Sequence, residues 1–223
     1  MAFLIDIEGI DGSGKGTQAE LLRQTLTERG YRVELISFPR YGKTTFARGI
    51  ADFLNGRFGT LEAVDPFLVS LLYAGDRFES RDWLRDLTEQ NQIVILDRYV
   101  PSNMAHQGSK RDGEERRELL SWIDQIEYGT YDLPRPNLVL WLDLPVDLAH
   151  ARIAAKKPRD YTAETTDLQE SNLEHLRRTR EVYESLAGTE PGWNRIETVS
   201  EGRAKTQDEI HREIESIVIA SLG

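Results

Sequence analysis

Glu8–Leu22 reads EGIDGSGKGTQAELL, and its interpretation decides the fold. Gly9, Gly14 and Lys15 satisfy the start of the phosphate-binding pattern G-x-x-x-x-G-K-[ST], but the hydroxyl position after the lysine is Gly16. An apolar run, Ala2–Ile7, precedes the loop, and a helical pattern begins at about Gly16. A strand, a glycine turn and a helix N-terminus together place backbone N–H groups and a partial positive charge against phosphate oxygens. Lys15 then reaches the outer phosphates, with Gly9, Gly12, Ser13, Gly14, Gly16 and Thr17 forming the cradle. The dinucleotide fingerprint G-x-G-x-x-G fails, because Thr17 stands where its third glycine belongs.

Without a hydroxyl at Gly16, magnesium must be held by carboxylates, water and the substrate's phosphates, as Mg²⁺ chemistry allows. Asp11 in the loop and Asp97 at the end of a later strand are the two candidates. Asp11 also fits a plain turn-forming role beside Gly12.

Working outward, Val33–Phe38, Ile93–Leu96 and Leu138–Leu144 repeat the short apolar run, with Asn194–Val199 as a weaker fifth. Such runs, separated by helical stretches, predict a parallel sheet covered on both faces. Leu21, Leu22 and Leu26 line a helix that ends at Gly30. Asp65-Pro66 opens a helical stretch toward residue 90. Further helices are expected over Asp147–Lys156, Asp167–Leu186 and Ala204–Leu222. The polar segment KPRDYTAETT, residues 157–166, reads as a lid insert in a three-layer α/β/α domain spanning residues 1–223.

The chain has 223 residues, 39% apolar and 30% charged, which suits one soluble globular domain. It has no cysteine, which excludes a disulfide scaffold, a zinc–thiolate site and a cysteine nucleophile, and agrees with a cytoplasmic location. The net charge of −10 disfavours a nonspecific grip on nucleic acid, and no apolar run is long enough for a membrane span. The expected partner is a small phosphorylated molecule.

Three segments at strand ends offer groups for a second substrate. SFPRYGKTT, Ser37–Thr45, brings Phe38, Arg40, Tyr41 and Lys43. DRYVPSNMAHQG, Asp97–Gly108, brings Asp97 and Arg98 to the sheet edge, with Asn103 able to read a nucleobase edge. Tyr73 and Arg77, one helical turn apart, share a face that could stack on and hydrogen-bond a base. Each has an ordinary structural alternative: a solvated turn, a surface ion pair, a helix cap, a core tyrosine.

EGIDGSGKGTQ, FPRYG, GDRF, DRYVPSNMAHQG and RPNLVLWLDLPVDLAHARI occur in an order that resembles the bacterial and archaeal thymidylate kinases, over about residues 3–187. The resemblance implies the P-loop kinase fold with a five-stranded parallel sheet, and transfer of the γ-phosphoryl of ATP to dTMP with Mg²⁺ in a homodimer. It implies that Lys15, Arg98, Asp11 and a lid cation carry catalysis, with Arg98 bridging donor and acceptor phosphates. Asp97 supports the metal, and Asp11 meets the acceptor's sugar or the metal shell. Phe38, Arg40 and Tyr41 belong to the acceptor-phosphate loop. Tyr73 takes the base-stacking position, Arg77 and Asn103 the thymine edge, and Arg152 the adenine. Asp167 and Glu170 match the family's D-x-x-E beside the acceptor, with Gln169 between them.

Two departures accompany the resemblance. His106 stands where family members often carry a tyrosine that excludes a ribose 2′-hydroxyl. Gly12 and Ser13 replace a basic loop residue, so Lys156, Lys157 and Arg159 become the lid cations, Arg159 foremost. GKGTQAELL alone looks equally like adenylate kinase. An AMP or UMP kinase and a non-enzymatic nucleotide switch are the competing readings.

Overall fold

The structure is a computed structural model, and it describes residues 1–154, 168–170, 172–200 and 202–223. Five parallel strands, β1 (Phe3–Glu8), β2 (Val33–Ser37), β3 (Ile93–Asp97), β4 (Leu138–Asp143) and β5 (Trp193–Glu197), form a sheet in the order β2-β3-β1-β4-β5. The strands match the predicted runs to within one or two residues. In register, Ile7 lies opposite Asp97 and Glu8 opposite Trp141, so three strand ends open on one edge.

Strand alternation sorts the layers. Ile5 and Ile7 of β1 pack with Ile93, Ile95, Leu140 and Leu142 against α1 (Lys15–Glu28) and α9 (Gln207–Leu222), where Leu22, Leu26, Ile210, Ile214 and Val218 are buried. Leu4 faces the other way, with Val94, Leu96 and Val100. That second layer contains α3 (Pro66–Glu79), α4 (Arg81–Gln90), α5 (Val100–Gly108) and α6 (Gly113–Asp124). The remaining helices are α2 (Thr45–Leu54), α7 (Val146–Ala154) and α8 (Leu173–Thr189). A ribbon of β6 (Val199–Ser200) and β7 (Arg203–Ala204) precedes α9. Each fully buried aliphatic side chain contributes roughly 1.5–3 kcal/mol, so the two layers hold the sheet from both sides.

Several boundaries differ from expectation. The helical stretch after Pro66 is two helices, broken at Ser80, whose hydroxyl donates to the Asp76 carbonyl. Asp65 does cap it, accepting from the Phe67 N–H. The helix expected from Asp167 starts at Leu173, because Asn172 accepts from the His175 N–H and caps it there. The last helix begins at Gln207, after Thr206 and Glu209 close a capping box, while Arg203–Ala204 goes to the ribbon. Leu21 is only half-buried. The insert 157–166 lies outside the described residues. No helix among the described residues is long and apolar enough to cross a membrane.

Candidate active site

A pocket of about 620 Å³ runs along the open sheet edge, within the size range of small-molecule sites. One end is built from the glycine loop. Gly9 and Gly12 have φ of +145° and +83°, and a Cβ at either would come within 2.7 Å of a backbone oxygen, of Leu142 and Ala149 respectively. Glycine is therefore required twice, for backbone conformation and for close approach. Lys15 Nζ donates to the carbonyls of Gly9 at 2.7 Å and Ile10 at 2.9 Å. Burial, aided by Arg98, lowers the Lys15 ammonium to a pKa of about 7. Arg152 Nη1 lies 3.4 Å from the Gly12 carbonyl, and Lys205, Gln207 and Ile210 complete this end of the lining.

Gly16 faces Asp97. A Cβ there would stand 3.2 Å from Asp97 Oδ2, so the carboxylate occupies the space beside the missing side chain. No group of three or more metal-ligating side chains exists among the described residues. One carboxylate beside a phosphate cradle nevertheless suits Mg²⁺, which keeps most of its waters and takes one or two carboxylates.

Arg98 lines the pocket between the glycine loop and α5. Its backbone is left-handed, with φ +69°, and its N–H donates to the Ile7 carbonyl at the strand end. Nη2 pairs with Asp11 Oδ1 at 2.7 Å. Nη1 reaches Ser102 Oγ at 3.2 Å and His106 Nε2 at 3.4 Å. Below it lies Glu8, fully buried. One Glu8 oxygen accepts the N–H groups of Tyr99 and Ser102 at the start of α5; the other accepts the hydroxyls of Ser102 and Tyr183. A carboxylate at a helix N-terminus is well placed electrostatically, and it locks α5 to the central strand.

His106 belongs to a hydrogen-bonded series whose tautomers follow from its last member. Ser109 Oγ donates to the His106 carbonyl, so it accepts from His175 Nδ1 at 3.1 Å. His175 Nε2 then accepts from His106 Nδ1 at 3.2 Å, leaving His106 Nε2 to accept from Arg98. Burial keeps both imidazoles neutral, with His106 well below its ordinary pKa and His175 at about 3.

At the far end are Phe38, Pro39, Tyr41, Tyr73, Arg77, Asn103 and Gln107, with Gln169 also on the lining. The Phe38–Pro39 peptide bond is cis. Arg77 forms a two-pronged ion pair with Glu127, which sits in a π-helical turn, Gln125–Thr130. Arg40 is placed differently from expectation. Its guanidinium lies 3.6 Å from the Trp83 ring centroid and is absent from the pocket lining, while its N–H donates to Asp76. A flat, weakly hydrated guanidinium stacks well on indole, and that contact competes with a role toward phosphate. Arg159 and Asp167, with Lys156 and Lys157, lie outside the described residues.

The structure thus gathers Gly12, Ser13, Gly14, Lys15, Gly16, Thr17, Asp11, Asp97, Arg98, Phe38, Tyr41, Tyr73, Arg77, Asn103, His106, Arg152 and Gln169 around one pocket. Sequence reasoning missed Glu8, Glu127, His175, Lys205 and Gln207. Nothing in their local sequence marks them; only the fold brings them to the site.

A glycine cradle, a neighbouring carboxylate and an arginine between the loop and α5, all on one pocket, define a P-loop kinase of the nucleoside monophosphate class. The family model for thymidylate kinase matches residues 7–210. Thymidylate kinase from Mycobacterium tuberculosis is 34% identical over 190 residues, covering 85% of this chain and 87% of that protein. The enzyme from Thermomicrobium roseum is also 34% identical, with 86% and 84% covered. The solved thymidylate kinase of Candida albicans superposes with a TM-score of 0.74 at 25% identity, covering 98% of this chain and 92% of that one. The chain belongs to the thymidylate kinase family.

Proposed function

We propose that this thymidylate kinase transfers the γ-phosphoryl of ATP to dTMP, giving ADP and dTDP, with the donor at the Lys15 end of the pocket and the acceptor at the Arg77 end. The observation that carries the assignment is Arg98. It lines the pocket and joins the glycine loop, through Asp11, to α5, through Ser102 and His106. Phosphoryl transfer asks a protein mainly for in-line positioning and neutralisation of developing charge.

Lys15 and the loop N–H groups bind the donor phosphates, and Arg98 neutralises charge between donor and acceptor. Asp97, with Asp11 nearby, is the carboxylate that would hold Mg²⁺. When bound, the ion supplies charge neutralisation at the phosphate oxygens. Arg152 takes the donor base. Tyr73 and Phe38 flank the acceptor base, while Tyr41 and Gln169 line its end of the pocket. Arg159 and Asp167 keep the roles the family resemblance implies, as lid cation and acceptor contact, and Arg40 keeps a loop-supporting one. Residues 1–223 work as one cytoplasmic domain with the insert 157–166 as lid. A homodimer agrees with Phe67 and Phe78, both exposed on α3 and about three turns apart.

The test is ADP formation from Mg-ATP with dTMP, dUMP, UMP, AMP or no acceptor. Turnover that depends on dTMP supports the assignment. A preference for AMP or UMP removes Arg77 and Asn103 as thymine readers, and ADP release indifferent to acceptor removes the transfer itself.

A further inference from the structure

Asn103 sits on α5 with only 2% of its surface exposed, and the direction of its amide is fixed by chemistry. Nδ2 lies 3.0 Å from the Ser70 carbonyl and 2.8 Å from Glu127 Oε1. Both neighbours can only accept, so the atom facing them must be the NH₂. Turned over, the amide would set its oxygen against a carbonyl and a carboxylate. Asn103 Oδ1 is therefore left on the other side, buried and with no partner among the described residues. A buried acceptor without a donor marks a place where a ligand N–H completes the site.

Glu127 is fully buried and arranges Arg77 in the same way. Its two oxygens take Arg77 Nε and Nη2, which leaves Nη1 with no hydrogen bond among the described residues. One carboxylate thus turns two pocket-lining side chains into an ordered pair, an acceptor at Asn103 Oδ1 and a donor at Arg77 Nη1. A ring N–H beside a carbonyl oxygen complements that pair. Thymine and uracil present this edge at N3 and O4, whereas cytosine presents the reverse, a bare ring nitrogen beside an amino group.

We infer that Glu127 is a positioning residue for base selection: by fixing the Asn103 amide and the Arg77 guanidinium, it sets the pocket for imide pyrimidines and against cytosine. It does so without touching the base. The inference rests on the proposed placement of Arg77 and Asn103 at the base edge. It separates thymine from cytosine, and leaves thymine against uracil to other contacts.

Glu127→Gln tests it, because a glutamine NH₂ cannot accept: in one orientation it faces Arg77 Nη2 and Asn103 Nδ2, in the other Arg77 Nε, so a bond that orders the pair is lost either way. Relative kcat/KM for dTMP, dUMP and dCMP is measured for the parent, Glu127→Gln and Asn103→Ala. The expected result for Glu127→Gln is a fall in the dTMP:dCMP ratio of at least about tenfold, the scale on which one hydrogen-bond mismatch discriminates substrates. It should come mainly through KM, with dTMP:dUMP unchanged. A general loss of structure would lower all three acceptors together. If Glu127→Gln does not fold, Glu127→Asp draws the carboxylate back by one methylene and loosens the same bonds to Arg77 and Asn103, with the same expected fall. A folded variant that keeps the parental dTMP:dCMP ratio overturns the inference when Asn103→Ala has lost it. Where Asn103→Ala also keeps the ratio, the base-edge placement itself has failed.

Discussion

Asp97 Oδ2 stands 3.2 Å from the position a Cβ on Gly16 would occupy, across the start of α1. This relationship explains why the loop tolerates glycine where related loops carry a hydroxyl. The carboxylate of the third strand already fills the space, and a side chain at 16 would have to push it by a few tenths of an ångström.

Two substitutions follow from that contact. Asp97→Asn is expected to raise the Mg²⁺ concentration for half-maximal activity by about 10–100-fold, the scale on which supporting ligands tune metal sites. Gly16→Ala should move it in the same direction by less, because it displaces the carboxylate without neutralising it. A Mg²⁺ titration at saturating ATP and dTMP distinguishes them. An unchanged Asp97→Asn titration removes that carboxylate from the metal's surroundings.

Lys15 gives a proton signature. Its pKa of about 7 arises first from burial and then from Arg98, with Asp11, Asp97 and Glu8 opposing. A phosphate anion on the loop favours the ammonium form, so binding raises that pKa. At pH 8 the free lysine is mostly neutral, and ADP binding should take up close to one proton. At pH 6 the uptake should vanish, since the group is already charged. Calorimetry of ADP binding in two buffers of different ionisation enthalpy measures it. Lys15→Met should abolish the uptake along with most of the affinity.

Arg98, which we place between donor and acceptor, is pinned by Asp11, Ser102 and His106, and its positive φ adds a backbone constraint. Arg98→Ala is expected to lower kcat by at least about 10²-fold, a floor set below the roughly 10³–10⁵ range for removing an arginine that stabilises transferring phosphoryl. Arg98→Lys should recover little, because one ammonium cannot hold all three partners and a phosphate. A melting curve beside the kinetics separates this from unfolding, and a loss under tenfold would reject the assigned role.

The sheet and the phosphate loop were legible because their signals are local: apolar runs, glycine spacing, a lysine at a helix start. Asp65-Pro66 was legible for the same reason. The break at Ser80 was not, since a single serine inside an apolar period gives no sign of which way its hydroxyl turns. Arg40 was expected at a phosphate because its segment follows the C-terminal end of a strand and resembles the family's acceptor-phosphate loop. Its position over Trp83, which lies on α4, depends on how α4 packs. Glu127, His175 and Lys205 carried no local pattern at all, and reach the pocket only through strand order and helix packing. His106 was noticed as a departure from family, but its partners were invisible until α8 was placed beside α5.

The paired histidines predict a pH dependence of stability whose sign is fixed. His175 is held at about 3 by burial first, then by Lys110 and Arg178, against the attraction of Asp11. His106 is lowered by burial, Arg98, His175 and Lys15, again with Asp11 opposing. An unfolded histidine titrates near 6.5, so below that pH the unfolded chain binds protons that the folded chain refuses. Stability contributed by His175 is therefore whole above about pH 6.5 and lost progressively as pH falls toward 3. Between pH 6.5 and 4.5 the loss amounts to about 2–3 kcal/mol, or roughly 5–10 °C in Tm for a chain of this size. His175→Gln keeps an acceptor for His106 Nδ1 but cannot charge. Its melting temperature should fall less over this interval than the parent's, even if it starts lower through loss of the bond to Ser109. Parallel melting curves of the two proteins would refute the neutral pair.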